Sequence, residues 1–96
     1  MKSVHLIISG TVQGVSFRAW TKDTADSMGI TGWVRNRREG TIEINAYGTS
    51  ANLEKFICQC RKGPRGSNVN SVRIKWFKSD PAGHKQIQAF EIGVTV

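Results

Sequence analysis

Hydrophobic and polar residues alternate in several parts of the chain, and this alternation predicts five strands. Near the N-terminus, Val4, Leu6 and Ile8 alternate with His5, Ile7 and Ser9. A period of two places every second side chain on the same face of a strand, so at least one face is buried. The five predicted strands cover residues 4–9, 33–36, 41–47, 72–76 and 90–96. A turn at residues 38–40 joins the second and third strands into a hairpin.

Apolar residues spaced three or four positions apart predict two helices. The first predicted helix covers residues 17–28. The apolar stripe of the second consists of Leu53, Phe56, Ile57 and Cys60. Hydroxyl side chains at residues 49–50 are suited to cap the start of the second helix, and the glycine–proline pair at residues 63–64 is suited to end it.

The order of these elements predicts a ferredoxin-like sandwich of the α+β class. The order is βαββαβ plus a C-terminal strand, with two helices on one face of a mainly antiparallel five-stranded sheet. The crossover through the first helix is expected to be right-handed. No linker or repeat divides the 96 residues, so we expect a single domain of residues 1–96. Because this architecture hosts many functions, the function must be argued from a site.

Composition and charge restrict the class of protein. With 39% hydrophobic and 22% charged residues, the chain is unlike a disordered protein, a coiled coil or a collagen-like repeat. It has no apolar run long enough to span a bilayer and no signal-peptide pattern, so a cytoplasmic protein without membrane association is expected. A net charge of +7 suits an anionic partner, which includes phosphorylated metabolites, nucleic acids and membrane surfaces.

The cysteines and histidines do not form a pattern for metal binding. Cys58 and Cys60 are two positions apart, and such residues on a helix point to different sides. Cys60 is therefore predicted in the core and Cys58 at the surface. His5 and His84 are far apart and are expected on a strand face or a loop. A structural zinc needs four ligands, so we expect no metal.

Residues 10–18, between the first strand and the first helix, have the composition of an anion site. Gly10 and Gly14 allow backbone conformations in which consecutive N–H groups point into one concavity. The helix start adds the positive end of its dipole, and Arg18 in the first turn offers a two-pronged donor to an oxyanion. The spacing differs from that of a Walker loop. A tight turn beside a solvated arginine is the alternative interpretation.

Asn36, at the end of the second strand, is a second candidate. In a ferredoxin-like fold this strand can lie near the start of the first helix, so Asn36 can reach the same site with a donor and an acceptor. An asparagine before a turn is also commonly a turn residue. The neighbouring Arg35, Arg37 and Arg38 are expected to be solvated, at the strand end and in the turn that follows. The alternative interpretation is that their positive charge steers anionic substrates.

Both segments resemble the signatures of the acylphosphatase family. Residues 10–18, GTVQGVSFR, are similar to the signature GxVQGVxFR. Residues 32–36, GWVRN, followed by GTIE at 40–43, are similar to the second signature, GWVxN with G-x-V/I-E. The resemblance extends through the second predicted helix to the closing FEI at 90–92, so it covers nearly the whole chain in the right order.

This resemblance implies an enzyme that hydrolyses the carboxyl–phosphate bond of small acyl phosphates to a carboxylate and phosphate, without a metal or other cofactor. It implies two catalytic residues: Arg18 grips the phosphate, and Asn36 orients the attacking water. Ser16 stands at a variable position of the signature, and whether its hydroxyl contacts the phosphate is open. The backbone amides implied to surround the phosphate belong to Gln13, Gly14, Val15, Ser16 and Phe17.

Other functions of the same fold remain alternatives. One is a non-catalytic, phosphate-sensing module, and the presence of both Arg18 and Asn36 argues against it. A nucleic-acid-binding module would suit the charge, but the aromatic run of RNA-recognition domains is absent. Of the adjacent Trp76 and Phe77, at most one can face outward with the basic side chains of the fourth strand. We therefore expect no specific nucleic-acid partner.

A third alternative is the acylphosphatase-type segment of larger carbamoyl-transfer maturation proteins. The chain begins with Met1 and ends just after the last predicted strand. We therefore expect a small separate enzyme that acts as a monomer.

Overall fold

A computed structural model describes residues 1–78 and 89–96. Within these ranges the order of elements is the predicted βαββαβ with an added C-terminal strand. The predicted turn at residues 80–83 and His84 lie outside the described residues. The elements are β1 (Lys2–Thr11), α1 (Phe17–Ser27), β2 (Thr31–Asn36), β3 (Ile42–Gly48), α2 (Ser50–Lys62), β4 (Asn68–Lys78) and β5 (Phe90–Ile92).

The strands form one five-stranded sheet in the order β4-β1-β3-β2-β5. All neighbouring pairs are antiparallel except β2 and β5, which are parallel. The two helices pack on one face of this sheet, and together they give the predicted ferredoxin-like sandwich. The alternation in β1 sets the register, because Leu6 lies opposite Ile44 of β3 and Ile74 of β4 on the helix-covered face.

The core lies between this face and the helices. Helix α1 buries Phe17, Thr21 and Ala25, and the hydroxyl of Thr21 donates to the carbonyl of Phe17 over 2.8 Å, so this buried hydroxyl has a partner. Helix α2 buries the predicted stripe of Leu53, Phe56, Ile57 and Cys60. The start of α2 is capped as predicted, with the hydroxyl of Thr49 accepting from the N–H of Asn52 over 3.2 Å.

The predicted strand boundaries are wrong at the edges of the sheet. Strand β4 is longer than predicted, because its pairing with β1 continues beyond the alternating residues to Asn68 and Lys78. Strand β5 ends at Ile92, although the apolar alternation continues to Val96. The last residues still follow β2: the N–H of Gly93 donates to Val34 over 2.8 Å, and that of Val96 donates to Asn36 over 3.1 Å.

An ionic cluster lies on the sheet face away from the helices, and it corrects the expectation that Arg35 and Arg37 are solvated. The buried Glu43 accepts from His5 over 2.7 Å, from Arg35 over 2.7 Å and from Arg37 over 3.2 Å. Burial by itself raises the pKa of Glu43, but these hydrogen bonds outweigh it and lower the pKa from 4.5 to about 2. Arg38 is exposed, as expected.

The cysteines occupy the two predicted environments. Cys58 is exposed and Cys60 is buried. Burial raises the pKa of the Cys60 thiol to about 12, so this group stays a neutral part of the core. Neither helix of the described ranges is long and apolar enough to cross a membrane.

Candidate functional site

A cavity of about 410 Å³ lies where the loop between β1 and α1 meets the end of β2. Its walls combine a glycine-rich loop, the first turn of a helix, a strand end and one residue of the C-terminal strand. The lining residues are Val12, Gln13, Gly14, Ser16, Phe17, Arg18, Ala19, Asn36 and Ile92. Arg18 and Asn36, which the sequence placed in one site, therefore face the same cavity.

The loop of residues 12–16 is fastened to the β2–β3 turn by Gln13. Its side-chain amide donates to the carbonyl oxygens of Arg37, over 2.7 Å, and Thr41, over 2.9 Å. Gly14 then takes a φ of 75°, a conformation that L-residues rarely adopt, and no other heavy atom lies within 4 Å of the Cβ that a side chain there would add. A glycine is therefore favoured at position 14 by the backbone conformation around the cavity, not by close packing of another group against it.

Helix α1 begins at the cavity without a side-chain cap. Its N-cap residue, Ser16, is left-handed with a φ of 60°, and its hydroxyl makes no capping bond. The first N–H groups of a helix have no partner within the helix, so those of residues 17–19 are donors available at the cavity wall. The first turn carries no acidic residue that would compete for the helix dipole. This end of the helix is suited to an external anion.

Arg18 is the cation of the cavity wall. It is half-buried and lies in the first turn of α1, so its charge adds to the positive end of the helix dipole. In the part of the chain that the structure describes, it makes no ion pair or side-chain hydrogen bond. Because the guanidinium has no such partner, its paired N–H donors are available to a ligand.

Asn36 supplies an unpartnered acceptor. Its Oδ1 is buried and finds no hydrogen-bond partner among residues 1–78 and 89–96. The backbone of Asn36 is held from two sides, by pairing with Ile42 of β3 and by the N–H of Val96. Buried polar atoms in native proteins are nearly always paired. The side-chain oxygens of Thr31 and Thr41 are also buried without a partner in the described ranges, but of the three residues only Asn36 lines the cavity.

The structure brings six of the seven predicted site residues to the cavity wall. The exception is the side chain of Val15, which packs against the core instead. The sequence did not predict the contribution of Ile92 or the bracing of Asn36 by Val96, because these follow from where the C-terminal strand pairs. Among the described residues, no three His, Cys, Asp or Glu side chains are grouped to hold a metal.

Comparisons with known proteins identify the family of the chain. An acylphosphatase family model matches residues 4–92. The acylphosphatase of Rhodospirillum rubrum is 45% identical over 74 residues, which are 77% of this chain and 81% of that protein. The acylphosphatase of Azorhizobium caulinodans is 40% identical over 94 residues, 98% of this chain and 97% of that protein. The crystal structure of acylphosphatase from Bacillus subtilis has a TM-score of 0.89 at 31% identity, covering 97% of this chain and 99% of that one.

The fold and the cavity define a ferredoxin-like α+β protein whose polar cavity lies beside the start of the first helix. The family match covers residues 4–92, and the named members are 40% and 45% identical to this chain, which together identify the family. The chain belongs to the acylphosphatase family, which consists of hydrolases.

Proposed function

We propose that this protein hydrolyses the carboxyl–phosphate anhydride bond of acyl phosphates, with the phosphate bound between the 12–16 loop and Arg18 and with a water held by Asn36. The observation that carries the proposal is that Asn36, whose Oδ1 has no hydrogen-bond partner among the described residues, lines the same cavity as Arg18. Family membership supports the reaction, and the named relatives are acylphosphatases.

The phosphate fits the donors at the start of α1. The uncapped N–H groups, the helix dipole and the guanidinium of Arg18 all favour negative charge at the same point. As the bond to the leaving group breaks, charge is redistributed over the phosphoryl oxygens, and fixed donors stabilise that charge without rearranging. In this proposal the backbone amides of Gln13 to Phe17 and Arg18 bind the phosphate in the substrate and in the transition state.

The attacking water is assigned to Asn36. The buried Oδ1 can accept one hydrogen bond from a water and so fix its direction toward phosphorus. The main-chain bonds of Asn36 to β3 and to Val96 keep this acceptor in place. Positioning of this kind lowers the barrier by removing the entropy of bringing water and phosphate together.

The reaction balances with one water. The water oxygen forms a bond to phosphorus, the bond between phosphorus and the acyl oxygen breaks, and its electron pair leaves with the carboxylate. A carboxylate is a stable leaving group, so no strong acid is required. The cavity walls, within the described residues, carry a guanidinium and amides rather than carboxylates or imidazoles. The proposal therefore assigns the water proton to a non-bridging phosphate oxygen of the substrate.

The test is hydrolysis of benzoyl phosphate by the purified chain in EDTA and in water enriched in ¹⁸O. We expect turnover that EDTA does not inhibit, with the heavy oxygen recovered in phosphate rather than benzoate. Asn36→Ala should remove turnover. Asn45→Ala, which changes an asparagine on the opposite face of the sheet, is the matched control and should retain it.

Two results would contradict the proposal. Label recovered in benzoate would place the attack on the carbonyl carbon instead of phosphorus. Absence of turnover, with inorganic phosphate still bound in an isothermal titration, would identify a phosphate-sensing module.

A further inference from the structure

The sheet face opposite the helices carries aromatic and basic side chains from three strands. Buried residues such as Val4 and Val34 point to the helices, so their neighbours Ser3 and Trp33 point to the other face. Pairing then places Phe77 of β4 and Tyr47 of β3 on either side of Ser3. In the described part of the chain no helix covers this face. The aromatic–basic patch consists of Trp33, Tyr47, Arg73, Lys75 and Phe77.

The rings of this patch are spaced across the sheet. Phe77 and Tyr47 flank the small side chain of Ser3, so their backbones are separated by two strand spacings, about 10 Å. Trp33 lies on the next strand, one diagonal step from Tyr47. Phe77 is 43% exposed, whereas Tyr47 and Trp33 are half-buried. Separated rings on a sheet can each receive one unstacked base.

Cations lie over two of these rings. The ammonium of Lys75 is 5.3 Å from the centre of the Phe77 ring, and the guanidinium of Arg35 is 4.5 Å from that of Trp33. Arg73 and Lys75 are exposed, and neither makes an ion pair with another described residue. The nearby Glu43 is already bound by His5, Arg35 and Arg37, which limits its repulsion of an anion.

We propose that the aromatic–basic patch binds single-stranded nucleic acid without sequence specificity. Bases stack on the rings, and phosphates lie near Arg73 and Lys75, the combination that single-strand-binding surfaces use. The sequence contains no single aromatic run of the kind that RNA-recognition domains carry, but the fold assembles the rings from β2, β3 and β4. Only Phe77 of the Trp76–Phe77 pair faces this side, because Trp76 lies opposite the core residue Val4.

The patch is separate from the cavity. Tyr47 and Phe77 flank Ser3, which is about 26 Å along β1 from the loop after Thr11. Trp33 is nearer, three residues before Asn36 on β2, but it lies on the opposite face of the sheet. The patch also lies on the face away from α1, whose first turn lines the cavity. A strand bound at the patch therefore leaves the proposed acyl phosphate site accessible.

The experiment measures fluorescence anisotropy of labelled oligouridine and oligothymidine of about 12 nucleotides with the full chain in about 100 mM salt. We expect saturable binding that is weaker for a duplex of the same length. Phe77→Ala should weaken it at least about fivefold, because one base loses its stacking partner. Trp76→Ala, an equally exposed aromatic neighbour on the other face, should change it by less than about twofold.

Charge provides the second comparison. Arg73→Glu/Lys75→Glu should weaken binding more than Lys55→Glu/Arg61→Glu, which makes the same change in net charge on exposed positions of α2. Phe77→Leu, which keeps apolar bulk but no ring, replaces Phe77→Ala if that variant fails to fold by circular dichroism. The proposal is overturned by absence of binding, by equal losses in the paired variants, by equal affinity for duplex, or by binding that is lost with Arg18→Ala.

Discussion

The side-chain amide of Gln13 donates a hydrogen bond of 2.7 Å to the main-chain carbonyl of Arg37, the residue that follows Asn36. A second bond, of 2.9 Å, reaches the carbonyl of Thr41 across the same turn. Gln13 therefore joins the loop on one side of the cavity to the strand end on the other. Its side chain acts in positioning, whereas its main chain belongs to the proposed phosphate loop.

Replacing Gln13 should separate these two roles. Gln13→Glu puts a carboxylate against two carbonyl oxygens, so we expect kcat/KM for benzoyl phosphate to fall at least about tenfold. Gln13→Ala removes the bonds without adding repulsion and should have the smaller effect. Steady-state kinetics of both variants, with circular dichroism to confirm folding, provides the measurement. A Glu variant as active as the wild type would show that the connection does not matter.

Substitution of Arg18 should mainly weaken phosphate binding, whereas substitution of Asn36 should mainly lower kcat. Arg18→Ala removes the charged donor proposed to bind the phosphate, so the Kd for inorganic phosphate should rise at least about tenfold. Asn36→Ala removes the acceptor proposed to direct the water, so that Kd should stay within about twofold while kcat falls by about a hundredfold or more. Arg18→Lys keeps the positive charge but loses the paired N–H donors of the guanidinium, so we expect a Kd for phosphate between those of the wild type and Arg18→Ala.

Isothermal titration with inorganic phosphate and single-turnover kinetics measure the two quantities. Arg61→Ala, on the exposed side of α2, serves as the matched control for loss of one arginine. Equal loss of phosphate binding in the Arg18 and Asn36 variants would contradict this division of roles.

Ser16 adopts a conformation that a glycine takes at lower cost. Its φ is 60° and its hydroxyl makes no capping bond, so the left-handed backbone costs about 1–2 kcal/mol without a compensating bond. The extra freedom of glycine in the unfolded chain offsets about 0.5–1 kcal/mol of that. Ser16→Gly should therefore stabilise the protein slightly in urea denaturation and leave the Kd for phosphate unchanged. A raised Kd would indicate that the hydroxyl binds phosphate.

The order of elements was predictable because it depends on local patterns. That Arg18 and Asn36 share one cavity was predictable only through the resemblance to the two family signatures, since the fold brings α1 and the end of β2 together. Alternation in β1 and the stripe on α2 determine which faces are buried, and the helix start follows directly from the glycine-rich loop. The ionic cluster around Glu43 was not predictable in this way. It joins residues of β1, β2 and β3 whose contact depends on register, which no single segment encodes.

The pairing of the C-terminal residues was also not predictable from their own sequence. The apolar alternation of residues 90–96 favours a longer strand, yet β5 ends at Ile92 and Val96 bonds instead to the backbone of Asn36 and Arg38. Periodicity reports which residues prefer burial. It does not report which edge of the sheet they join, and that edge gives Ile92 its place in the cavity wall.

Gly32 is required by a close approach between β2 and β3. Its φ is 138°, and an added Cβ would overlap the carbonyl oxygen of Asn45. We expect Gly32→Ala to lower the free energy of unfolding by about 3 kcal/mol or more. The substitution strains the backbone at residue 32 and also forces the two neighbouring strands to move apart. Gly66→Ala is the matched control, because Gly66 has a φ of 90° with open space around the added Cβ. It should cost about 1–2 kcal/mol. Similar losses in urea denaturation would show that the overlap is relieved without cost.

The Glu43 cluster should make stability depend on pH in an acidic window. The pKa of Glu43 is about 2 in the folded protein against 4.5 ordinarily, so the folded state binds its proton less readily than the unfolded chain. The stabilisation is therefore fully present above pH 4.5 and is lost as the pH falls from 4.5 toward 2. We expect a decrease on the order of 2–3 kcal/mol across that window.

Urea denaturation between neutral pH and pH 2 measures this dependence. Glu43→Gln should be less stable than the wild type at neutral pH, because Arg35 and Arg37 lose their anionic partner, and most of the acidic decline should disappear. Glu54→Gln removes an exposed carboxylate of α2 and should keep the decline. If both variants kept the wild-type decline, carboxylates other than Glu43 would have to account for it, and the cluster would not be the source of acid sensitivity.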